Sequence, residues 1–216
     1  MQQNNFPTIG VTGITGSGTS TVSAILAERG GFVVQADKLA HDAMKKTSQA
    51  HKEILDAFGD EILSENGEIN RRMLGAKVFG NKNERERLEK IIHPRVIERT
   101  KKIIEKISAT SAHSFVVIDA PLLIESGMNT ICDSTWLITA PDELRIARIT
   151  ARDKIDEAAA KRRLESRNGD DALRTHANMI IENNGSAIAL RSKIETALKA
   201  MELKIHGWSG MKVLEI

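Results

Sequence analysis

The segment Gly13-Ile14-Thr15-Gly16-Ser17-Gly18-Thr19-Ser20-Thr21 constrains the fold more than any other. It follows an apolar run, Thr8–Thr12, that reads as a buried strand, and it opens the stretch Ser20–Arg29, whose Val22, Ile25 and Leu26 share one helical face. A strand that ends in a glycine-rich turn and restarts as a helix gathers backbone N–H groups at the helix N-terminus, where the helix dipole favours phosphate oxygens. Gly13 and Gly18 have the spacing of a phosphate-binding loop, Gly16 adds backbone freedom for close approach, and Ser20 stands where a Mg2+-binding hydroxyl belongs. Ser17 and Thr21 complete the candidate loop. The motif's lysine position holds Thr19 instead. A neutral hydroxyl in place of a preorganised charge costs about 3 kcal/mol of transition-state stabilisation, roughly a hundredfold in rate, but leaves the amide cradle intact. The plainer reading is a polar turn that merely joins strand to helix.

Further short β-like runs follow at Gly31–Val34, Phe115–Asp119, Ser134–Thr139 and Met179–Ile181, with helical stretches between them. This alternation predicts an α/β fold with a central parallel sheet flanked by helices. Residues 1–216 are read as one domain. Within it, about 75 residues between the second and third strands lack β signal and exceed an ordinary crossover. They predict a helical insertion over 38–114. A second helical excursion, 153–177, is rich in Arg and Lys; it suits a lid over a site, whereas charge pattern alone favours a solvated pair of surface helices. In the long stretch Arg95–Ser108, Pro94 is suited to the first helical position. The tail from Lys204 has no assigned docking.

Composition narrows the function classes. A formal net charge of +2 gives no footing for a general nucleic-acid or membrane-surface binder, and scarce aromatics (no Tyr, five Phe, two Trp) disfavour base stacking. One cysteine, Cys132, excludes an internal disulfide, suits a reducing cytosol and reads as a small buried apolar residue. Met1–Pro7 lacks the basic start and apolar run of a signal peptide, and no run nears the roughly 20 apolar residues of a membrane span. The expectation is a cytoplasmic protein with small-molecule ligands, of open oligomeric state.

From Ile9 to Leu203 the sequence resembles the dephospho-coenzyme A kinase family. The resemblance is carried collinearly by several segments besides the loop. They are Val33-Val34-Gln35-Ala36-Asp37, Phe58-Gly59, Asn66 to Leu74, Val78-Phe79, Leu88-Glu89, His93-Pro94, Val117 to Glu125, the pair Arg148 and Arg152, and Asn183-Asn184-Gly185. The resemblance implies a P-loop NTPase fold, with a helical substrate-binding insertion and a helical lid. It also implies phosphorylation of the 3′-hydroxyl of dephospho-CoA by ATP with Mg2+, the last step of CoA biosynthesis.

The implied site divides by ligand. Gly13, Gly16, Ser17, Gly18, Thr19, Ser20, Thr21, Arg148, Asn183 and Gly185 fall to the nucleotide, Ser20 also to the metal, and Arg71, His93, Pro121 and Leu122 to the acceptor. Asp37 and Arg152 are the implied catalytic residues. A carboxylate just past a strand end can take or orient a hydroxyl proton, although Asp37 also suits a helix cap. Arg152 suits phosphate oxygens, with an exposed ion pair as its alternative. Arg71 has surface charge as its plain reading, and His93 a helix-start role. Asp119 stands roughly where P-loop proteins direct a carboxylate to the metal. Gln35 replaces the first aspartate of the family's usual pair, a second departure beside Thr19. A degenerate relative that binds without efficient transfer is the competing expectation. Lys38, Arg71, Arg148 and Arg152 are the cations available to replace the missing lysine.

Overall fold

Alternation along each strand builds the sheet. In the computed structural model, which describes residues 6–110, 112–165, 170–205 and 214–215, the strands are β1 (Thr8–Thr12), β2 (Gly31–Gln35), β3 (Phe115–Asp119), β4 (Ser134–Thr139), β5 (Met179–Glu182) and β6 (Leu214–Glu215). Their spatial order is β2-β3-β1-β4-β5-β6, and the pairings from β3 through β6 are parallel. Ile9, Val11, Trp136, Ile138 and Ile181 point to one face, where they meet Val22, Ile25 and Leu26 of α1 (Thr19–Glu28) and Leu190, Ile194 and Ala197 of α9 (Ala187–Ile205). Leu137 and Ile180, one residue out of phase, point to the other face and pack with Ile14, Leu173 and Ala177. The period of two thus serves two cores, as a sheet buried on both sides requires.

β6 adds an edge strand, parallel to β5 through Met179↔Leu214, that the sequence did not suggest. The intervening tail residues 206–213 lie outside the described residues, as do 166–169 of the second helical excursion. The described part of that excursion forms α7 (Glu157–Glu165) and α8 (Asp170–Arg174), preceded by α6 (Asp142–Asp153).

The chain divides into two units, Met1–Val34 with Ile107–Ile216, and Gln35–Lys106. The second unit is helical. It holds α2 (Ala36–Ala43), α3 (Gln49–Phe58), α4 (Arg71–Val78) and most of α5 (Lys82–Ser108). Ser48 caps α3 by accepting from the His51 N–H at 3.0 Å, and Asn70 caps α4 by accepting from Arg72 and Met73. Its buried side chains include Ile54, Phe58, Ile62, Leu74, Ile92 and Val96.

Pro94 does not open a helix. It lies well inside α5, which begins at Lys82 after Asn81, whose side chain accepts from the Glu84 N–H. Proline there deprives the Lys90 carbonyl of its helical donor. The helix continues because Ile92 and Val96 are buried on either side, and because Arg95 Nη1 donates to the neighbouring Ile91 carbonyl at 2.5 Å.

Candidate active site

In a parallel sheet the C-terminal strand ends share one edge, and ligands bind outside that edge. There β1 runs into the glycine loop. Gly18 has φ 98° and ψ 28°, a left-handed turn that releases the chain into α1. Thr21 and Val22 N–H donate back to the Gly18 carbonyl at 3.0 and 3.1 Å, but no side chain caps the helix and its first turn carries no acidic residue. The Thr19 and Ser20 amides of α1 are therefore left for an external acceptor, and the dipole favours an anionic one.

The glycines are required by packing as much as by ligand approach. A Cβ on Gly13 would sit 2.4 Å from the Ile138 carbonyl, and one on Gly16 would sit 2.8 Å from the Arg145 carbonyl of α6. One on Gly18 would meet Asn183 Nδ2 at 2.2 Å. The loop's apolar member, Ile14, is buried among Leu137, Leu173 and Ala177 and anchors the loop to the sheet face. Sequence reasoning passed over Ile14, although an apolar residue among glycines and hydroxyls was the available signal. It also passed over Arg145, whose backbone seats Gly16.

Arg148 and Asn183 meet at this loop. Arg148, on α6, donates from Nη1 to the Gly16 and Ser17 carbonyls at 3.2 and 3.3 Å, and from Nη2 to the Asn183 carbonyl at 3.0 Å. Asn183 follows β5; its N–H donates to Thr139 at 2.7 Å and its Nδ2 to the Ser17 carbonyl at 2.8 Å. Both side chains thus grip loop carbonyls, and within the loop the Ser17 N–H donates to the Ile14 carbonyl at 3.0 Å. Ser17 Oγ is buried without a hydrogen-bond partner among the described residues, a polar atom held in reserve beside the loop. Thr19 is half-buried, while Ser20, Thr21 and Gly185 are exposed.

Beside β1, β3 ends at Asp119, in register with Val11. Thr12 Oγ1 donates to the Pro121 carbonyl at 3.2 Å, tying the loop's entry to the turn that carries Pro121 and Leu122. Arg152, at the end of α6, is exposed and donates from Nε and Nη2 to the Asp153 carboxylate at 2.7 and 3.0 Å. Lys154 then turns the chain through φ 53°, and Arg163 of α7 returns to donate to the same carboxylate. The hydrogen bond from Arg152, aided by both guanidinium charges, holds the Asp153 carboxyl below its ordinary range, and the Arg152 guanidinium is correspondingly harder to deprotonate.

The other implied residues belong to the helical unit. Asp37 is exposed in the first turn of α2, but the N-cap is Gln35, so Asp37 is no helix cap; it makes no hydrogen bond or ion pair among the described residues. Arg71 opens α4 and contacts His41 of α2, a residue the sequence reading missed. His93 lies half-buried inside α5, not at a helix start.

A family model for dephospho-CoA kinase matches residues 7–189. The chain belongs to the dephospho-CoA kinase family. A curated dephospho-CoA kinase from Fusobacterium nucleatum is 40% identical over 187 residues, 87% of this chain and 94% of its own. The crystal structure of a Thermus thermophilus protein matches at 31% identity with a TM-score of 0.73, covering 92% of this chain and 97% of that one. Dephospho-CoA kinase from Campylobacter jejuni matches at 25% identity and a TM-score of 0.57, covering 91% and 98%. The fold is therefore that of the P-loop kinases.

The oxygen donors present are of a kind that would fit a divalent cation held together with phosphate oxygens. No cluster of three or more His, Cys, Asp or Glu with metal-binding geometry occurs among the described residues. Mg2+ needs none, because it keeps several waters and takes one or two protein oxygens together with phosphate oxygens. The exposed Ser20 hydroxyl in the first turn of α1 and the carboxylate of Asp119 at the β3 end are the groups that would supply such oxygens.

Proposed function

We propose that the protein transfers the γ-phosphoryl group of ATP to the 3′-hydroxyl of dephospho-CoA, giving coenzyme A and ADP. The observation that carries this reading is an uncapped α1 N-terminus beneath a braced glycine loop, in a chain of this family. The amides of Gly16, Gly18, Thr19 and Ser20 receive the β- and γ-phosphates, and Arg148 and Asn183 hold the loop in place from the carbonyl side. Asp37 accepts the proton as the ribose oxygen attacks phosphorus and the bridging oxygen departs with ADP. Arg152 exchanges Asp153 for phosphate oxygens, countering charge on the transferring group. Arg71, His93, Pro121 and Leu122 are assigned to the acceptor, and Gly185 to the nucleotide. Ser20, with the Asp119 carboxylate at the end of β3, would hold Mg2+, which would neutralise phosphate charge.

Thr19 and Gln35 favour a second reading, a family member that binds both ligands but transfers slowly. One experiment separates the two: CoA formation from ATP, Mg2+ and dephospho-CoA by the native protein, Asp37→Ala and Thr19→Lys. Native turnover that collapses in Asp37→Ala supports the kinase. A silent native protein revived by Thr19→Lys supports the slow binder, and failure of all three to bind nucleotide rules out both.

A further inference from the structure

Asp37 and His41 lie four residues apart on α2, so their side chains rise from one helix face, one turn from each other, and both are exposed. Arg71 reaches that face from α4, with Nη1 3.0 Å from His41 Nδ1. A guanidinium has only donors and stays charged, so Nδ1 must accept. The ring N–H that is left to donate is therefore on Nε2. The next carboxylate, Asp42, does not compete for Arg71, because it is engaged by Lys45 at 2.6 Å and Arg99 at 3.8 Å. The face thus offers an acceptor, the Asp37 carboxylate, beside two donors, the Nε2–H of His41 and the remaining N–H groups of Arg71. Its complement is an alcohol whose hydroxyl has an acceptor or anionic oxygen next to it: the O–H meets Asp37, and the neighbouring oxygen meets the donors.

We propose that His41 is an acceptor-binding residue that donates from Nε2 to an oxygen beside the reacting hydroxyl, and that Arg71 is its positioning residue, fixing the tautomer. The inference rests on the proposed kinase reaction, in which a ribose hydroxyl has such neighbours.

The test is steady-state kinetics with dephospho-CoA and ATP for the native protein, His41→Ala, His41→Gln and His41→Asn. Glutamine places an amide N–H near the Nε2 position, whereas asparagine places an oxygen near Nδ1. His41→Ala is expected to raise KM for dephospho-CoA at least tenfold while leaving KM for ATP unchanged, with His41→Gln recovering most of the loss and His41→Asn little. Recovery by asparagine and not by glutamine would mean that the ring only braces Arg71, and would overturn the proposal, as would native kinetics in His41→Ala. A native protein that neither phosphorylates dephospho-CoA nor binds it in calorimetry overturns the kinase reading, and this inference with it; native turnover with an indifferent His41→Ala overturns the inference alone. His41 is exposed, so an unchanged circular dichroism spectrum in each variant is the check on folding.

Discussion

Asn183 Nδ2 donates to the Ser17 carbonyl at 2.8 Å, joining the end of β5 to the phosphate loop that follows β1. The same amide nitrogen lies 2.2 Å from where a Gly18 Cβ would stand. One contact thus makes two positions interdependent. Asn183→Ala removes a buried hydrogen bond and should cost about 1–2 kcal/mol of stability, with KM for ATP rising more than KM for the acceptor. Gly18→Ala should do more harm, because it adds both the clash and an L side chain at φ 98°. In the double variant the clash is gone and only the backbone strain remains. Denaturant unfolding of all four proteins should therefore show Asn183→Ala partly suppressing Gly18→Ala, a coupling that independent sites would lack.

Thr19→Lys restores the motif's charge at the opening of α1. If the cradle is intact and only the charge is missing, kcat should rise about a hundredfold in CoA formation, corresponding to about 3 kcal/mol. The available replacements argue for a real deficit. Arg148 lies at the loop, but three of its contacts go to main-chain carbonyls, and Arg152 is engaged by Asp153. An unchanged kcat would show that another cation already supplies the charge.

What the sequence disclosed follows from how local the signal was. Strands β1, β3 and β4 were readable to the residue because runs such as Phe115–Asp119 are bounded by turns or polar breaks and are apolar up to the terminal Asp119. The loop was readable because strand, glycines and helix are contiguous. The resemblance named Arg148 and Asn183 for this site but not their bracing role: Arg148 is more than a hundred residues from Gly16, and nothing local marks a side chain that will grip a distant carbonyl. Pro94 misled for the opposite reason. Its local preference for a helix start was outweighed by burial of Ile92 and Val96, which carries α5 straight through it. β6 escaped notice because two residues carry no periodicity.

Asp153 receives N–H groups from both Arg152 and Arg163, so phosphates that recruit Arg152 must displace a carboxylate. Asp153→Asn keeps the shape and removes the charge. KM for ATP should fall severalfold, and adding Arg152→Ala should abolish the gain. The sign of the pH effect follows from the lowered Asp153 pKa. Its contribution is fully present above the ordinary aspartate range and is lost only as pH falls through the depressed value. Between neutrality and mild acid the native KM should therefore carry no inflection from this group. A KM for ATP in Asp153→Asn equal to the native value would show that the carboxylate does not restrain Arg152.

Cys132 is the chain's one thiol, and burial, with a smaller contribution from the charge of Asp133, pushes its pKa from the usual 9.0 up to about 12. Its Sγ donates to the Met128 carbonyl at 3.5 Å and would stand 2.8 Å from a Gly10 Cβ, so it fills the space that glycine leaves in β1. The thiolate is the nucleophile, and a shift of this size lowers its population at pH 8 by roughly a thousandfold. Iodoacetamide labelling, followed by intact mass, should accordingly be slow in the native protein and rapid in denaturant. The raised value also has a stability consequence of defined sign. The half-buried neutral thiol is favoured fully below the ordinary thiol pKa, and that preference is lost as pH climbs from about 9 towards 12, because the unfolded chain ionises first. Native protein should therefore lose stability over that alkaline window faster than Cys132→Ala does, whatever offset the smaller side chain introduces at neutral pH. Parallel alkaline unfolding curves for the two proteins would show that the thiol is not the group responsible.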